Sequence, residues 1–129
     1  MTIEERAEQA VKLKNSGCNC CQAVLVALRD QAGLDEDAAL SVASGFGAGM
    51  GSMEGSCGAL IGAVMAANLN LHGVGAPRVA RQLSVGFKEA CGAVTCKELK
   101  GVGTGKVLCP CEDCVRNAVL LYGKRMNPA

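Results

Sequence analysis

Nine cysteines are the residues of this sequence with the most chemical potential, and they make up about 7% of its 129 positions. Thiolate sulfur binds zinc or the iron of an iron–sulfur cluster, and it also forms disulfides reversibly. Either kind of site needs cysteines that converge from separate segments. The cysteines fall into four such segments: Cys18, Cys20 and Cys21; Cys57; Cys91 and Cys96; and Cys109, Cys111 and Cys114.

Four of these cysteines are expected at the starts of helices. At a helix start, unpaired backbone amides and the helix dipole favour a thiolate over a thiol. Such cysteines are suited to ligate a metal or to react, and we predict that they share one pocket. The four are Cys20, Cys57, Cys96 and Cys111.

The remaining cysteines have two interpretations. Cys109 and Cys114 lie close to Cys111 in sequence and are predicted as additional metal ligands, and Cys18 or Cys114 could supply a resolving thiol. Only one Cys-x-x-Cys occurs in these segments, so the paired spacing of a zinc ribbon is absent. Extra cysteines such as Cys21 and Cys91 are equally well explained as small buried hydrophobic residues.

The helices that would position the cysteines are predicted from capping residues and apolar spacing. Thr2 and Glu5 form a capping box, Gly33 follows a helical pattern as a stop, and Pro77 suits a first helical position. No alternating strand pattern of useful length occurs. We therefore predict a single all-α domain over residues 1–129, a compact bundle of five to six short helices. The predicted helices cover about 2–16, 20–32, 35–43, 57–71, 77–90 and 111–124, with a brief turn at 95–99.

A glycine-rich segment over 45–58 precedes the helix that begins near Cys57 and is predicted as an ordered loop. Backbone without side chains could pass close to the Cys57 sulfur and point amides at a thiolate, a sulfide or an anion. Gly49, Gly51 and Gly58 are the candidate cofactor-contacting residues. A tight helix-to-helix crossing explains the segment equally well. The segment lacks Gly-x-Gly-x-x-Gly and a following Lys-Ser/Thr, which disfavours nucleotide binding.

Composition excludes several classes of function. A net charge of +1 and three aromatic residues argue against nucleic-acid binding. The longest apolar run contains Asn68 and Asn70 and is too short for a membrane span. The first residues do not form a secretory signal, so a reducing cytoplasm is the expected compartment. The scarcity of aromatics in a short chain is compatible with homo-oligomers formed by pairing of helices between subunits.

The cysteine segments carry motifs that extend over most of the chain. Asn19-Cys20-Cys21-Gln22-Ala23 is followed by Gly45-Phe46-Gly47-Ala48-Gly49, then by Cys57-Gly58-Ala59-Leu60-Ile61-Gly62, by Gly92 before Cys96, and by Cys111 with Val115 and Ala118. This order resembles the C-GCAxxG-C-C family of small proteins classed as redox-active. The Cys-Gly-Ala-x-x-Gly stretch is the most specific part of the resemblance.

The resemblance implies a helical, cytoplasmic, cysteine-centred redox or metal protein without a well-defined substrate. Its four hallmark cysteines correspond to Cys20, Cys57, Cys96 and Cys111, whereas cysteines 18, 21, 91, 109 and 114 depart from the family pattern. The first hypothesis is a redox or electron-transfer protein with an unidentified redox partner, using reversible thiols or an iron–sulfur cluster. The alternative is a non-enzymatic protein with a structural zinc site.

Overall fold

The computed structural model describes residues 1–127 and confirms the all-α prediction. Within these residues the only β-type pairing is an isolated bridge between Ser56 and Thr95. The elements are α1 (Ile3–Asn15), α2 (Cys20–Ala27), α3 (Arg29–Ala32), α4 (Glu36–Ala43), a π-helical turn (Gly49–Met53), α5 (Gly58–Asn70), α6 (Ala76–Cys91), α7 (Cys96–Lys100) and α8 (Cys111–Met126). The predicted count of five to six helices is therefore wrong, since the described residues form nine helical elements.

The predicted helix over 20–32 is divided at Leu28, which has φ −107° and ψ 10° and separates α2 from α3. Two arginines bind the carbonyl groups at this break. The guanidinium of Arg6 donates to the Ala27 carbonyl over 3.0 Å, and Arg29 donates to the Val26 carbonyl over 2.9 Å. These side chains take the place of backbone donors, so the chain can bend without leaving buried carbonyls unpaired.

Capping residues explain where the helices that carry the site begin. Thr2 and Glu5 form the predicted capping box of α1, and Asn19 and Gln22 form a second one at the start of α2. In the second box, the Gln22 amide N–H donates to the Asn19 side chain over 2.8 Å. Each box satisfies two backbone donors that would otherwise lack a partner, and the second one fixes the first residue of α2.

Helix α5 lies at the centre of the bundle and packs against α2, α3, α6 and α8. Its sequence has no charged residue, as expected for a helix covered on several sides. A Cβ at Gly62 would lie 2.9 Å from the Cys21 carbonyl oxygen, so glycine permits the close approach of α2. Gly62 therefore lies on a face of α5 that packs directly against α2.

The apolar run from Cys57 to Leu71 forms α5, which has 13 residues. Across the described part of the chain, every helix falls short of the combined length and apolar character that a bilayer crossing requires. This finding agrees with the prediction of no membrane span.

Candidate functional site

The four cysteines predicted at helix starts line a single cavity of about 290 Å³. Cys20, Cys57 and Cys96 are buried, whereas Cys111 is partly exposed and offers the most accessible sulfur of the four. Two lysines, a methionine and the glycine-rich segment complete the wall. The lining residues are Lys14, Asn19, Cys20, Ala48, Met53, Cys57, Gly58, Cys96, Lys100 and Cys111.

Each of these four cysteines lies at the start of a different helix, in agreement with the sequence-based expectation. Cys57 is the residue that caps α5, and the other three are first residues of helices. Cys20 begins α2, Cys96 begins α7 and Cys111 begins α8. Four helix N-termini therefore face one small space, but the pKa is lowered only at Cys57 and Cys111 of these four cysteines and is raised at Cys20 and Cys96.

Backbone hydrogen bonds fix two of these helix starts relative to each other. The Cys57 amide donates to the Val94 carbonyl over 2.7 Å, and the Cys96 amide donates to the Gly55 carbonyl over 3.0 Å. These bonds flank the isolated bridge between Ser56 and Thr95. The segment before α5 and the segment before α7 are thus paired locally, and their cysteine side chains enter the cavity from neighbouring positions.

The glycine-rich segment approaches Cys96 more closely than the sequence suggested. A Cβ at Gly49 would lie 2.7 Å from the Cys96 Cβ, whereas a Cβ at Gly51 would have no neighbour within 4 Å. Gly58 lines the cavity, and a Cβ there would lie 2.5 Å from the Phe46 carbonyl oxygen. These positions account for close packing at Gly49 and Gly58, and a role in contacting a cofactor stays a prediction for all three glycines.

The backbone amides that stabilise Cys57 as a thiolate come from α5 and not from the glycine-rich segment. A hydrogen bond from Cys114 and the amides of Ala59 and Leu60 lower the pKa of Cys57 to about 7, although burial acts in the opposite direction. We expected amides of the loop to point at this sulfur. The amides that do so belong instead to the first turn of α5, the helix that Cys57 caps. Backbone amides lower the pKa of Cys57 as predicted, but they come from α5 and not from the glycine-rich segment.

Cys111 and Cys20 form a pair with opposite pKa shifts. A hydrogen bond from the Cys20 thiol lowers the pKa of Cys111 to about 5, and Lys100 and Lys14 add to this shift. The same hydrogen bond, together with burial, raises the pKa of Cys20. The Lys100 ammonium donates a hydrogen bond to the Cys111 sulfur. The pair therefore consists of an accessible thiolate beside a buried thiol near neutral pH.

The fourth cavity cysteine, Cys96, is in a less polar setting. Burial raises its pKa, and its sulfur lies 3.7 Å from the Met53 sulfur. Cys96 is therefore a neutral thiol on the apolar side of the cavity. Its position makes it available as a ligand only when a metal ion displaces the thiol proton.

A second group, the Cys114 cluster, consists of Cys91, Cys109 and Cys114. Their sulfur atoms all lie within 4.8 Å of one another, and all three residues are buried, so the cluster could hold a metal ion. The structure thus places Cys109 and Cys114 with Cys91 and outside the lining of the cavity. Cys57 lines the cavity and is also influenced by this cluster, because Cys114 lowers its pKa. Within residues 1–127, all nine cysteines are free.

The sequence did not assign four residues to these sites: Lys14, Met53, Lys100 and Cys91. Lys100 follows Cys96 by four positions, a spacing that places both on one face of a helix, and this signal could have assigned it to the cavity. Met53 belongs to the glycine-rich segment, and its spacing contains no signal of the cavity. Cys91 was treated as equally consistent with a buried hydrophobic residue, and its local spacing contains no signal of the cluster.

Replacing Lys100 by methionine is expected to raise the pKa of Cys111, because the variant loses both the hydrogen bond and the nearby positive charge. The midpoint of the Cys111 alkylation rate against pH should move upward by about one pH unit. Lys97→Met is the control, since Lys97 forms an exposed ion pair with Glu54. Mass spectrometry of iodoacetamide-labelled peptides gives the rates, and identical profiles for both variants would contradict the assignment of Lys100.

Comparison with known proteins identifies one family. The model of the family described as "Putative redox-active protein (C_GCAxxG_C_C)" matches residues 18–124, which include all nine cysteines. No curated protein and no solved structure shows significant similarity to the chain.

Proposed function

The chain belongs to the C-GCAxxG-C-C family, and from that premise we propose that it is a thiol–disulfide redox protein whose reactive pair is Cys111 and Cys20. The observation that supports the proposal is that a buried Cys20 and an accessible Cys111 line the same four-cysteine cavity, where the Lys100 ammonium donates a hydrogen bond to the Cys111 sulfur. A thiolate beside a thiol is the arrangement that disulfide exchange requires, with one sulfur to attack and one to resolve.

The proposed reaction transfers two electrons to a disulfide substrate. The Cys111 thiolate attacks one substrate sulfur, a bond forms between the two sulfurs, and the substrate disulfide breaks to release the first thiolate. Cys20 then loses its proton to solvent, and its sulfur attacks the Cys111 sulfur and releases the second substrate thiolate. Both released thiolates take up protons according to their own pKa values. The two cysteines are oxidised to one disulfide and the substrate is reduced to two thiols.

The pKa values determine which sulfur attacks. With a pKa of about 5, Cys111 is almost fully ionised at pH 7, whereas an ordinary cysteine is a thiolate to only a few per cent at this pH. Cys20 keeps its proton until the mixed disulfide forms, because the neighbouring negative charge and burial both oppose its ionisation. The order of attack is therefore Cys111 first and Cys20 second.

A redox titration tests the proposal. The purified protein is equilibrated in buffers of defined thiol–disulfide ratio, quenched with acid, alkylated and mapped by mass spectrometry. Cys20 and Cys111 should convert together to one disulfide along a two-electron curve. Cys18, which lies outside both cysteine groups, should remain alkylated and serves as the internal control. Full alkylation of Cys20 and Cys111 in every buffer would contradict the proposal.

A second candidate function is electron transfer through an iron–sulfur cluster held by the same four cysteines. The specific observation in its favour is that four cysteines from four helix starts surround one cavity, which matches the number of thiolates that such clusters use. The bound cluster would supply one-electron chemistry. Anaerobic purification followed by visible absorption and by iron and sulfide analysis separates the candidates, since the dithiol protein is colourless and contains no iron.

A further inference from the structure

We propose that the Cys114 cluster binds one thiophilic metal ion at a site separate from the four-cysteine cavity. The three sulfur atoms lie within 4.8 Å of one another, and their residues retain at most 4% of their accessible surface. The sequence had suggested zinc at the cavity cysteines, with Cys109 and Cys114 as additional ligands. The side-chain positions favour a different set, because Cys91 replaces the cavity cysteines as the partner of Cys109 and Cys114.

The spacing of the cluster suits a metal of the size of zinc or copper. Metal–thiolate bonds of about 2.3 Å require ligand sulfurs about 3.8 Å apart in a tetrahedron and about 4.0 Å apart in a trigonal plane. Sulfurs that all lie within 4.8 Å therefore need to approach one another by less than about 1 Å. Rotation of the cysteine side chains and a small shift of the 101–110 segment, most of which is exposed, can supply this movement.

Hydrogen bonds already orient two of the three ligands, Cys91 and Cys109. The Asn117 side-chain amide donates to the Cys91 sulfur over 3.4 Å, and a donor of this kind stabilises a ligating thiolate and fixes its direction. The Cys109 amide donates to the Leu99 carbonyl over 3.3 Å, which holds Cys109 against α7. The Cys114 sulfur contacts the Cys109 carbonyl oxygen at 3.5 Å. Two of the ligands, Cys91 and Cys114, therefore belong to helices, and the third, Cys109, belongs to a loop.

The donor set identifies the class of metal. Three thiolates without a carboxylate or imidazole ligand favour closed-shell thiophilic ions, and Cu⁺ and Zn²⁺ are the two biological ions of this kind. Three sulfurs complete the coordination of a trigonal Cu⁺, whereas Zn²⁺ would keep one further position to fill. Magnesium and calcium are disfavoured because they prefer oxygen ligands.

Bound metal would join three separate parts of the chain. Cys91 is the last residue of α6, Cys114 lies in the first turn of α8, and Cys109 belongs to the segment between α7 and α8. A ligand that binds the folded chain and not the unfolded chain stabilises it by mass action. Metal binding is therefore expected to raise the thermal midpoint as well as to add a measurable ion.

The experiment uses the full chain, reduced and free of metal, in two arms that contain Zn²⁺ or Cu⁺. After removal of unbound ion, elemental analysis should give about one metal per chain in at least one arm. Cys109→Ser should retain less than a fifth of that amount and lose the rise in thermal midpoint. Cys18→Ser and Cys111→Ser are the controls and should bind metal like the unaltered chain.

Three results would overturn the site. These are no bound metal in either arm, full retention of the ion by Cys109→Ser, or loss of the ion in Cys111→Ser, which would place the metal in the cavity. Circular dichroism of metal-free Cys109→Ser checks that the variant folds. A second measurement needs no variant at all: metal should protect Cys91, Cys109 and Cys114 from alkylation in the unaltered chain while Cys18 stays reactive.

The metal site and the redox pair fail independently. Failure of the redox pair is observed as the absence of a disulfide between Cys20 and Cys111. Failure of the metal site is observed as the absence of ion or of protection at Cys91, Cys109 and Cys114. Neither result depends on the other, because the two measurements follow different cysteines.

Discussion

Serine in place of Cys111 is expected to lower the rate of disulfide exchange at the cavity by at least about a hundredfold, to the level of the uncatalysed background. The hydroxyl of serine stays protonated at neutral pH, so the variant has no sulfur anion to begin the reaction. The rate is measured by mixing reduced protein with a small aromatic disulfide and following release of the coloured thiol. The fast phase should disappear, and the slow phase from other thiols should remain.

Cys20→Ser is the matched partner of this experiment. The variant keeps the Cys111 thiolate and loses only the second attack, so the protein should accumulate a mixed disulfide between Cys111 and half of the substrate. Intact mass spectrometry would detect the adduct. Cys18→Ser should behave like the unaltered chain in both measurements. If the fast phase survives in Cys111→Ser, or if no adduct forms in Cys20→Ser, the proposed order of attack is wrong.

Alanine at Gly49 is expected to destabilise the protein by about 2–4 kcal/mol and to perturb the cavity. Gly49 has φ 57°, a left-handed conformation that costs an L residue about 1–2 kcal/mol. In addition, the new Cβ would lie 2.7 Å from the Cys96 Cβ and 3.0 Å from the Gly55 carbonyl oxygen, so one of these groups must move. Chemical denaturation measures the free energy of unfolding, and the alkylation rate of Cys96 reports on the cavity.

Gly51→Ala separates the two contributions. Gly51 also has a left-handed backbone, with φ 78°, but a Cβ there would meet nothing within 4 Å. This variant should lose only about 1–2 kcal/mol and keep the alkylation rate of Cys96 unchanged. Equal losses of stability in the two variants would show that crowding of the new Cβ against Cys96 adds nothing to the loss at Gly49.

Local signals in the sequence predicted the helix starts well, because capping depends on residues within three or four positions. The box of Thr2 and Glu5 is present in the structure, and Asp35, the first residue of the predicted 35–43 helix, caps α4. The break at Leu28 could not be predicted in this way. It depends on Arg6, which lies 21 positions from the Ala27 carbonyl that it binds, and no local pattern reports such a contact.

In the candidate site, too, local signals were informative and contacts between distant parts of the chain were not predictable. The expected position at a helix start distinguishes four of the nine cysteines, and these four line one cavity in the structure. They are Cys20, Cys57, Cys96 and Cys111. The distribution of the other cysteines was not predictable, because Cys109 and Cys111 are two positions apart and yet belong to different groups. Pro110 caps α8 between them, and the change from loop to helix at that residue sends their side chains to different places.

Cys20 and Cys111 are adjacent in space but separated by about 90 positions in the chain. A covalent link between them would close a ring that contains most of the polypeptide and would remove much of the freedom of the unfolded chain. In the chain-entropy description this is worth about 4–5 kcal/mol for a ring of this size. By thermodynamic reciprocity, folding must favour formation of the link by the same amount. The oxidised protein should therefore resist heat and proteases better than the reduced protein.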